Sequence, residues 1–417
     1  MIHKLRITRA NINFHYGGEI GMHSRAAHAL FFVMGFVLIA ASCLFTACKQ
    51  AEEKKGATSL AIARHYVVRD SIVGRIRTNI YAATRVGDLS PAAKSAKPYI
   101  YVPNSKSNTV TVIDPITRTV VRTFSTGKLP QHVVPSYDMS VLWVTNNEGN
   151  TLTRIDPKTG MDSIRLPVDD PYNLYFTPDG KAAIVVAERL DRLDFRDPVN
   201  MKLLKPVHVK CRGLDHLDFL ADDNYAIATC EFSGQLVKID LKTREPIAYL
   251  RLEGHAQPQD IRSTPDGRLF FVADMKEGGI HLIDPSQFRE IGFIKTGKGT
   301  HGMAIGRGGK PFYIMNRGSM SIYGTRRGPG SVTVLDPESR KILATWWIPG
   351  GGSPDMGNVT ANGKELWVSG RYDYEVYDID TSTGHLIARI NVGAEPHGVC
   401  VWPQPGRFST GHTGNMR

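Results

Sequence analysis

The chain has 417 residues, 41% of them hydrophobic and 22% charged, with five cysteines and a formal charge of +11. Such a composition excludes a disordered polymer and a disulfide-held miniprotein, and the length allows a sizeable core. The surplus of Lys and Arg forms no run and has no interleaved aromatics, so no nucleic acid is expected as a partner; the charge suits anionic lipid or wall polymer, or solubility alone.

Residues 30–47 are dominated by apolar side chains and carry no charge, with Arg25 before them and Lys49 after. A basic region, an apolar stretch and small residues before a break describe a secretory signal peptide. The break, Leu44-Phe45-Thr46-Ala47-Cys48, resembles a lipoprotein signal, which implies lipidation of Cys48 as the mature N-terminus. Ala40-Ala41-Ser42-Cys43 is a competing box, so the choice between Cys43 and Cys48 stays open. An uncleaved anchor is the alternative, since 18 apolar residues barely span a bilayer. Both readings place the rest of the chain outside the cytoplasm, membrane-anchored in the cell envelope, periplasmic or at the outer surface. Residues 1–21 are a long polar lead for a signal, and Gly17-Gly18-Glu19 matches a ribosome-binding sequence translated in frame; Met22 is the expected start. The expected organisation is then 1–21 before the true start, 22–48 signal peptide, 49–97 tether and linker, 98–403 repeats and 404–417 tail.

After Pro98 a unit of about 43 residues returns seven times. Its landmark is an apolar strand ending in Asp: Asp114, Asp156, Asp197, Asp240, Asp284, Asp336 and Asp380. Each unit holds four short runs rich in Val, Ile, Leu and aromatics, separated by turn residues such as Pro178-Asp179-Gly180 and Pro265-Asp266-Gly267. Short strands at a fixed period predict antiparallel blades in a ring, an all-β seven-bladed β-propeller. The first unit starts at its second strand, Tyr99-Ile100-Tyr101-Val102, and an orphan inner strand, His397-Gly398-Val399-Cys400-Val401, waits at the far end to close the ring. Blade six carries an insertion near Gly324-Thr325-Arg326-Arg327-Gly328-Pro329-Gly330, expected at the channel mouth as a mobile loop or a cover for an anionic ligand. The tail after Trp402, with Arg407 and His412, is expected to emerge at the opposite rim.

Tyr101-Val102-Pro103-Asn104, Trp143-Val144-Thr145-Asn146 and Tyr313-Ile314-Met315-Asn316, with Thr111-Val112-Ile113-Asp114, make the chain resemble the YVTN-type propellers of bacterial envelopes. Similar propellers include secreted lactonases, the haem domain of a nitrite reductase and the copper domain of nitrous-oxide reductase. The resemblance implies the fold and leaves the chemistry open.

Overlaid, the inner-strand starts read Pro130-Gln131-His132, Pro171-Tyr172-Asn173, Leu214-Asp215-His216, Pro258-Gln259-Asp260, Gly299-Thr300-His301, Ser353-Pro354-Asp355 and Glu395-Pro396-His397. His132, Asn173, His216, Asp260, His301, Asp355 and His397 therefore converge on one mouth as candidate ligand-binding residues. With 14 His in the chain, four at equivalent positions is a strong signal. Imidazoles around a hole suit a transition metal (copper, zinc or iron), so His132, His216, His301 and His397 are candidate metal ligands, or partners of a non-covalent haem. No Cys-x-x-Cys-His for covalent haem is present. Capping of strand ends is the plainer role for the same residues. Arg317 and Arg371 are candidate clamps for a carboxylate or phosphate, against ordinary salt bridges. Cys211 and Cys230 are a candidate disulfide in an oxidising compartment, and Cys400 is expected to be buried.

The function expected is a non-enzymatic, lipid-anchored binding module, monomeric, with its ligand site at the His-bearing mouth and an envelope protein or polymer as a further partner. The alternatives are a metal- or haem-dependent redox or cofactor-handling protein and a lactonase-like hydrolase. No Ser-His-Asp order or H-E-x-x-H motif supports hydrolysis.

Overall fold

The landmark Asp residues set the local geometry of every blade. Each accepts, through Oδ1, the backbone N–H two residues on, as Asp114 does from Ile116 at 2.8 Å and Asp240 from Lys242 at 2.9 Å. Four residues after each Asp the backbone turns left-handed: Arg118, Gly160, Met201, Arg244, Phe288, Arg340 and Gly384 all have positive φ. The side-chain acceptor closes an Asx turn and sends the chain back as the outermost strand.

The computed structural model describes residues 79–417, arranged as seven four-stranded antiparallel sheets. The signal peptide, the Cys43/Cys48 choice, the expected start and the first part of the tether lie outside the described residues. Innermost strands such as Pro130–Pro135 and Leu214–Phe219 are wholly buried, whereas outermost strands such as Met161–Pro167 are mostly exposed. Apolar clusters fill the gaps between adjacent sheets, as where Val186, Leu193 and Phe195 meet Leu217, Phe219 and Val237. The ring closes as the sequence implies: Cys400–Trp402 pairs antiparallel with the start of Tyr99–Asn104, in the register Tyr99↔Trp402 and Tyr101↔Cys400. The candidate Cys pair is joined as a disulfide, Cys211–Cys230, and Cys400 is free and buried.

Three segments depart from expectation. Residues 79–97 are more than linker. Asn79 Nδ2 donates to Gly308 O at 2.8 Å, buried Tyr81 donates to Ser263 O at 2.8 Å, and Ser90 caps a short helix, Pro91–Lys94. The blade-six insertion is not a free loop but docks on blade seven. Arg327 Nη2 pairs with Glu375 at 2.6 Å, and Ile322 O accepts from Tyr372 Oη at 2.9 Å. The tail does not emerge; it turns back into the channel. Gly411 bridges Tyr175, His412 N donates to Leu174 O at 2.8 Å, and Arg417 pairs with buried Asp218 at 2.8 Å. The driving chemistry is the channel itself, whose buried carboxylates and carbonyls need partners that the inner strands alone cannot supply.

Candidate functional site

The starts of the inner strands carry a bulge. In blade four, Leu214 faces Cys230 but Leu217 faces Ala228, and the other inner strands paired from their first residue shift likewise. One extra residue on the inner strand lets two consecutive side chains reach the channel. They form two tiers. The upper has Gln131, Tyr172, Asp215, Gln259, His301, Asp355 and His397; the lower has His132, Asn173, His216 and Asp260, with Gly302, Met356 and Gly398 completing it. The positions that overlay in the sequence are thus split between two levels. A one-residue offset, readable in the sequence but treated there as slack, is a real change of height. Gly398 is a packing requirement, because a Cβ there would lie 2.3 Å from His132 Cδ2.

Asp355 is the hub of the upper tier. It accepts from His397 Nδ1 at 2.6 Å and Arg317 Nε at 2.5 Å, and lies 3.0 Å from His301 Nδ1. Arg317 Nη2 also donates to His301 Nε2 at 2.8 Å. Burial opposes ionisation of Asp355, but Arg317, with His301 and His397, outweighs it and holds the carboxyl well below its usual range. His301 and His397 are therefore engaged, and so is Arg317. Holding a metal with the four histidines expected from the sequence, or a ligand with the Arg317 clamp, would mean dismantling this buried ion network.

The tail supplies the residue that sequence reasoning missed. His412 lies 4.8 Å, ring to ring, from His216 and 5.2 Å from His132. Burial keeps all five channel imidazoles neutral, with His132 lowered to about 3 and His301 to about 4. His412 stands in a short polar tail, and no local pattern aims it at the channel. A haem does not fit among these residues. The rings of His132 and His397 meet at 4.8 Å and those of His301 and His397 at 5.5 Å, with the tail beneath, leaving no slot for a macrocycle.

The mouth above sets carboxyls against a guanidinium. On one side stand Asp215, Glu188 and Glu231. Burial and then the charge of Glu231 raise Asp215 well above its usual range, and the same two causes raise Glu188 to about 8. Burial also raises Glu231, although Gln259 and Gln257 hydrogen-bond it. Asp215 Oδ2 is buried and, among the described residues, has no hydrogen-bond partner. On the other side is Arg371, whose Nη2 is 3.7 Å from Glu395 and whose buried Nη1 is equally unpartnered.

Seven blades and this closure find a match. A family model for the YNCE-like β-propeller covers residues 71–406. The chain belongs to the YNCE-like β-propeller family. No curated protein matches the chain. This YNCE-like propeller is similar in structure to hydrazine synthase of Kuenenia stuttgartiensis, at 18% identity and TM-score 0.56, covering 64% of this chain and 88% of that one. The dihydro-heme d1 dehydrogenase NirN, in complex with DHE, matches at 14% identity and TM-score 0.56, covering 79% of each chain. A putative 6-phosphogluconolactonase from Bacteroides uniformis matches at 18% and 0.58, covering 72% and 98%. At these identities the likeness is one of fold.

Proposed function

We propose that this YNCE-like propeller is an extracytoplasmic, lipid-anchored binding module whose channel mouth takes a small ligand bearing both a cationic nitrogen and an anionic group, the chemistry of an amino acid. One observation carries the reading: at one mouth, Asp215 and Arg371 each hold a buried, unpartnered atom of opposite character. Asp215 and Glu188, each raised by burial and by the charge of Glu231, are relieved by a cation, and a guanidinium with a free Nη1 binds a carboxylate. Binding alone is favoured over catalysis because the best-placed acid–base groups, Asp355, His301 and His397, are tied to each other and to Arg317. Export is supported by the apolar stretch before Cys48 and by the Cys211–Cys230 disulfide, which suits an oxidising compartment. The lactonase-like alternative rests on the names of structural neighbours and gains no residue set here.

The test is a melting-shift panel on the exported chain, with amino acids, amines lacking a carboxylate and carboxylates lacking an amine. Amino acids are expected to raise Tm at millimolar concentration, and the single-charge compounds to do so at least about 10-fold less effectively. Equal effects from all three classes, or none from any, would reject the reading.

A further inference from the structure

We propose that the lower tier is a zinc or copper site in which the Nε2 atoms of His132, His216 and His412 take one ion and so fasten the C-terminal segment into the channel. The proposal shares Asp215 with the ligand reading of the mouth above it but rests on the three imidazoles, and its test reads metal, not amino-acid, binding.

Three observations carry it. First, one ring nitrogen from each of the three histidines lies within 4.8 Å of the others. The Nε2 atoms are buried and, among the described residues, make no hydrogen bond. Buried polar atoms are nearly always satisfied, so three orphans at one point mark a place made for an occupant. Second, the opposite nitrogens are held. His132 Nδ1 donates to Tyr172 O at 3.0 Å, which leaves a lone pair on Nε2 facing inward. His216 Nδ1 lies 3.3 Å from Tyr175 Oη and 3.1 Å from Asn173 Nδ2; His412 Nδ1 lies 2.9 Å from Thr413 Oγ1 and 2.6 Å from Thr413 N. The amide donors put the proton on Nε2 of these two rings. The hydroxyls would turn to accept from Nδ1–H, which frees both Nε2 lone pairs for an ion at the cost of the Thr413 amide bond and of both Asn173 Nδ2 bonds, to His216 Nδ1 and to Tyr175 Oη, while Tyr175 Oη keeps its bond from Leu217 N. Third, a carboxyl is at hand, with Asp215 Oδ1 3.4 Å from His216 Nε2. Asp260 Oδ1 is 3.7 Å from His412 Nε2 but is committed to Arg262 at 3.0 Å.

Three imidazoles and one carboxyl are a nitrogen–oxygen donor set of borderline hardness, suited to Zn²⁺ or Cu²⁺. An ion at about 2.0–2.1 Å from each nitrogen needs them roughly 3.4 Å apart, so the rings must draw together. The backbone of His412 is held by its bond to Leu174 O and by the Gly411–Tyr175 bridge, so the closing movement falls to the side chains. The ion would act as a staple between the ring of blades and the tail, and its affinity would be affinity for the plugged channel.

The experiment is metal analysis of the untagged, exported full chain, followed by chelation and calorimetric titration with Zn²⁺ and Cu²⁺. About one ion per chain is expected. His412→Gln should weaken binding at least about 100-fold, while exposed His385→Gln leaves it unchanged. Circular dichroism and melting of the metal-free variants keep the comparison honest: His412→Gln should match the metal-free wild type and fail only to gain Tm with metal. In ¹⁵N spectra, Zn²⁺ should shift the Thr413 amide, whose bond to Nδ1 is lost. A chain that takes up neither metal stoichiometrically, or a folded His412→Gln variant that binds as tightly as the wild type, overturns the proposal.

Discussion

His281 shows what a buried imidazole does when it faces carboxylates instead of other imidazoles. Its Nδ1 is 2.6 Å from Glu290 and its Nε2 3.1 Å from Asp274, with the ring against Phe293. Burial disfavours the charged ring, but the two acids outweigh burial and raise its pKa to about 9. A pKa raised on folding stabilises the protein fully below the unfolded value of about 6.5, and that contribution fades as pH rises through 9. His281→Gln should therefore cost a few kcal/mol at pH 6 and much less at pH 9.5, measured by denaturant unfolding at both. A loss independent of pH would mean that His281 matters only for packing. The channel histidines, buried among themselves, go the other way and stay neutral. The residue type alone signalled that something titratable sat at these positions; the sign of each shift depends on neighbours brought from other blades.

At the scale of the element, the seven turns after the landmark Asp residues make the same left-handed step with seven different degrees of comfort. Gly160 and Gly384 adopt it freely, whereas Arg340 does so at φ 60 with a Cβ in the way. Left-handed backbone costs a non-glycine residue about 1–2 kcal/mol, part of which glycine gives back as unfolded-state entropy. Arg340→Gly should stabilise the chain by about 0.5–1 kcal/mol, with no gain from Arg340→Ala, as read by thermal melting. A Gly variant no better than the Ala variant would show that this turn carries no strain. These turns are also why the fold was legible: the Asp that opens each one is a local signal, repeated in each blade. The bulge in the inner strand is local too, yet it has no residue signature, so the two tiers of the mouth were folded into one. The docking of the blade-six loop on Tyr372 and Glu375 is a contact between blades and left no mark in either segment.

Residues 79–417 form a ring sealed twice, once by Cys400–Trp402 beside the first blade and once by the tail within the channel. The first seal could be read from a missing strand at one end and a spare at the other. The second could not, because residues 404–417 have no period; most of them are buried, through hydrogen bonds such as Gln404 Nε2 to Val401 O, through Met416 in an apolar cluster and through Arg417, which lies over Tyr81. In the proposed reading the mouth is a cup, with Asp215, Glu188 and Glu231 on one side and Arg371 on the other. The most direct measurement is calorimetric titration of an amino acid that the wild type binds, repeated on Arg371→Gln and Asp215→Asn, with the matching single-charge amine and carboxylate as comparison ligands. If the cup reads both charges, Arg371→Gln should lower affinity at least about 10-fold and erase the preference over the bare amine, while Asp215→Asn erases the preference over the bare carboxylate. If both variants bind with wild-type affinity and selectivity, the mouth is not the ligand site.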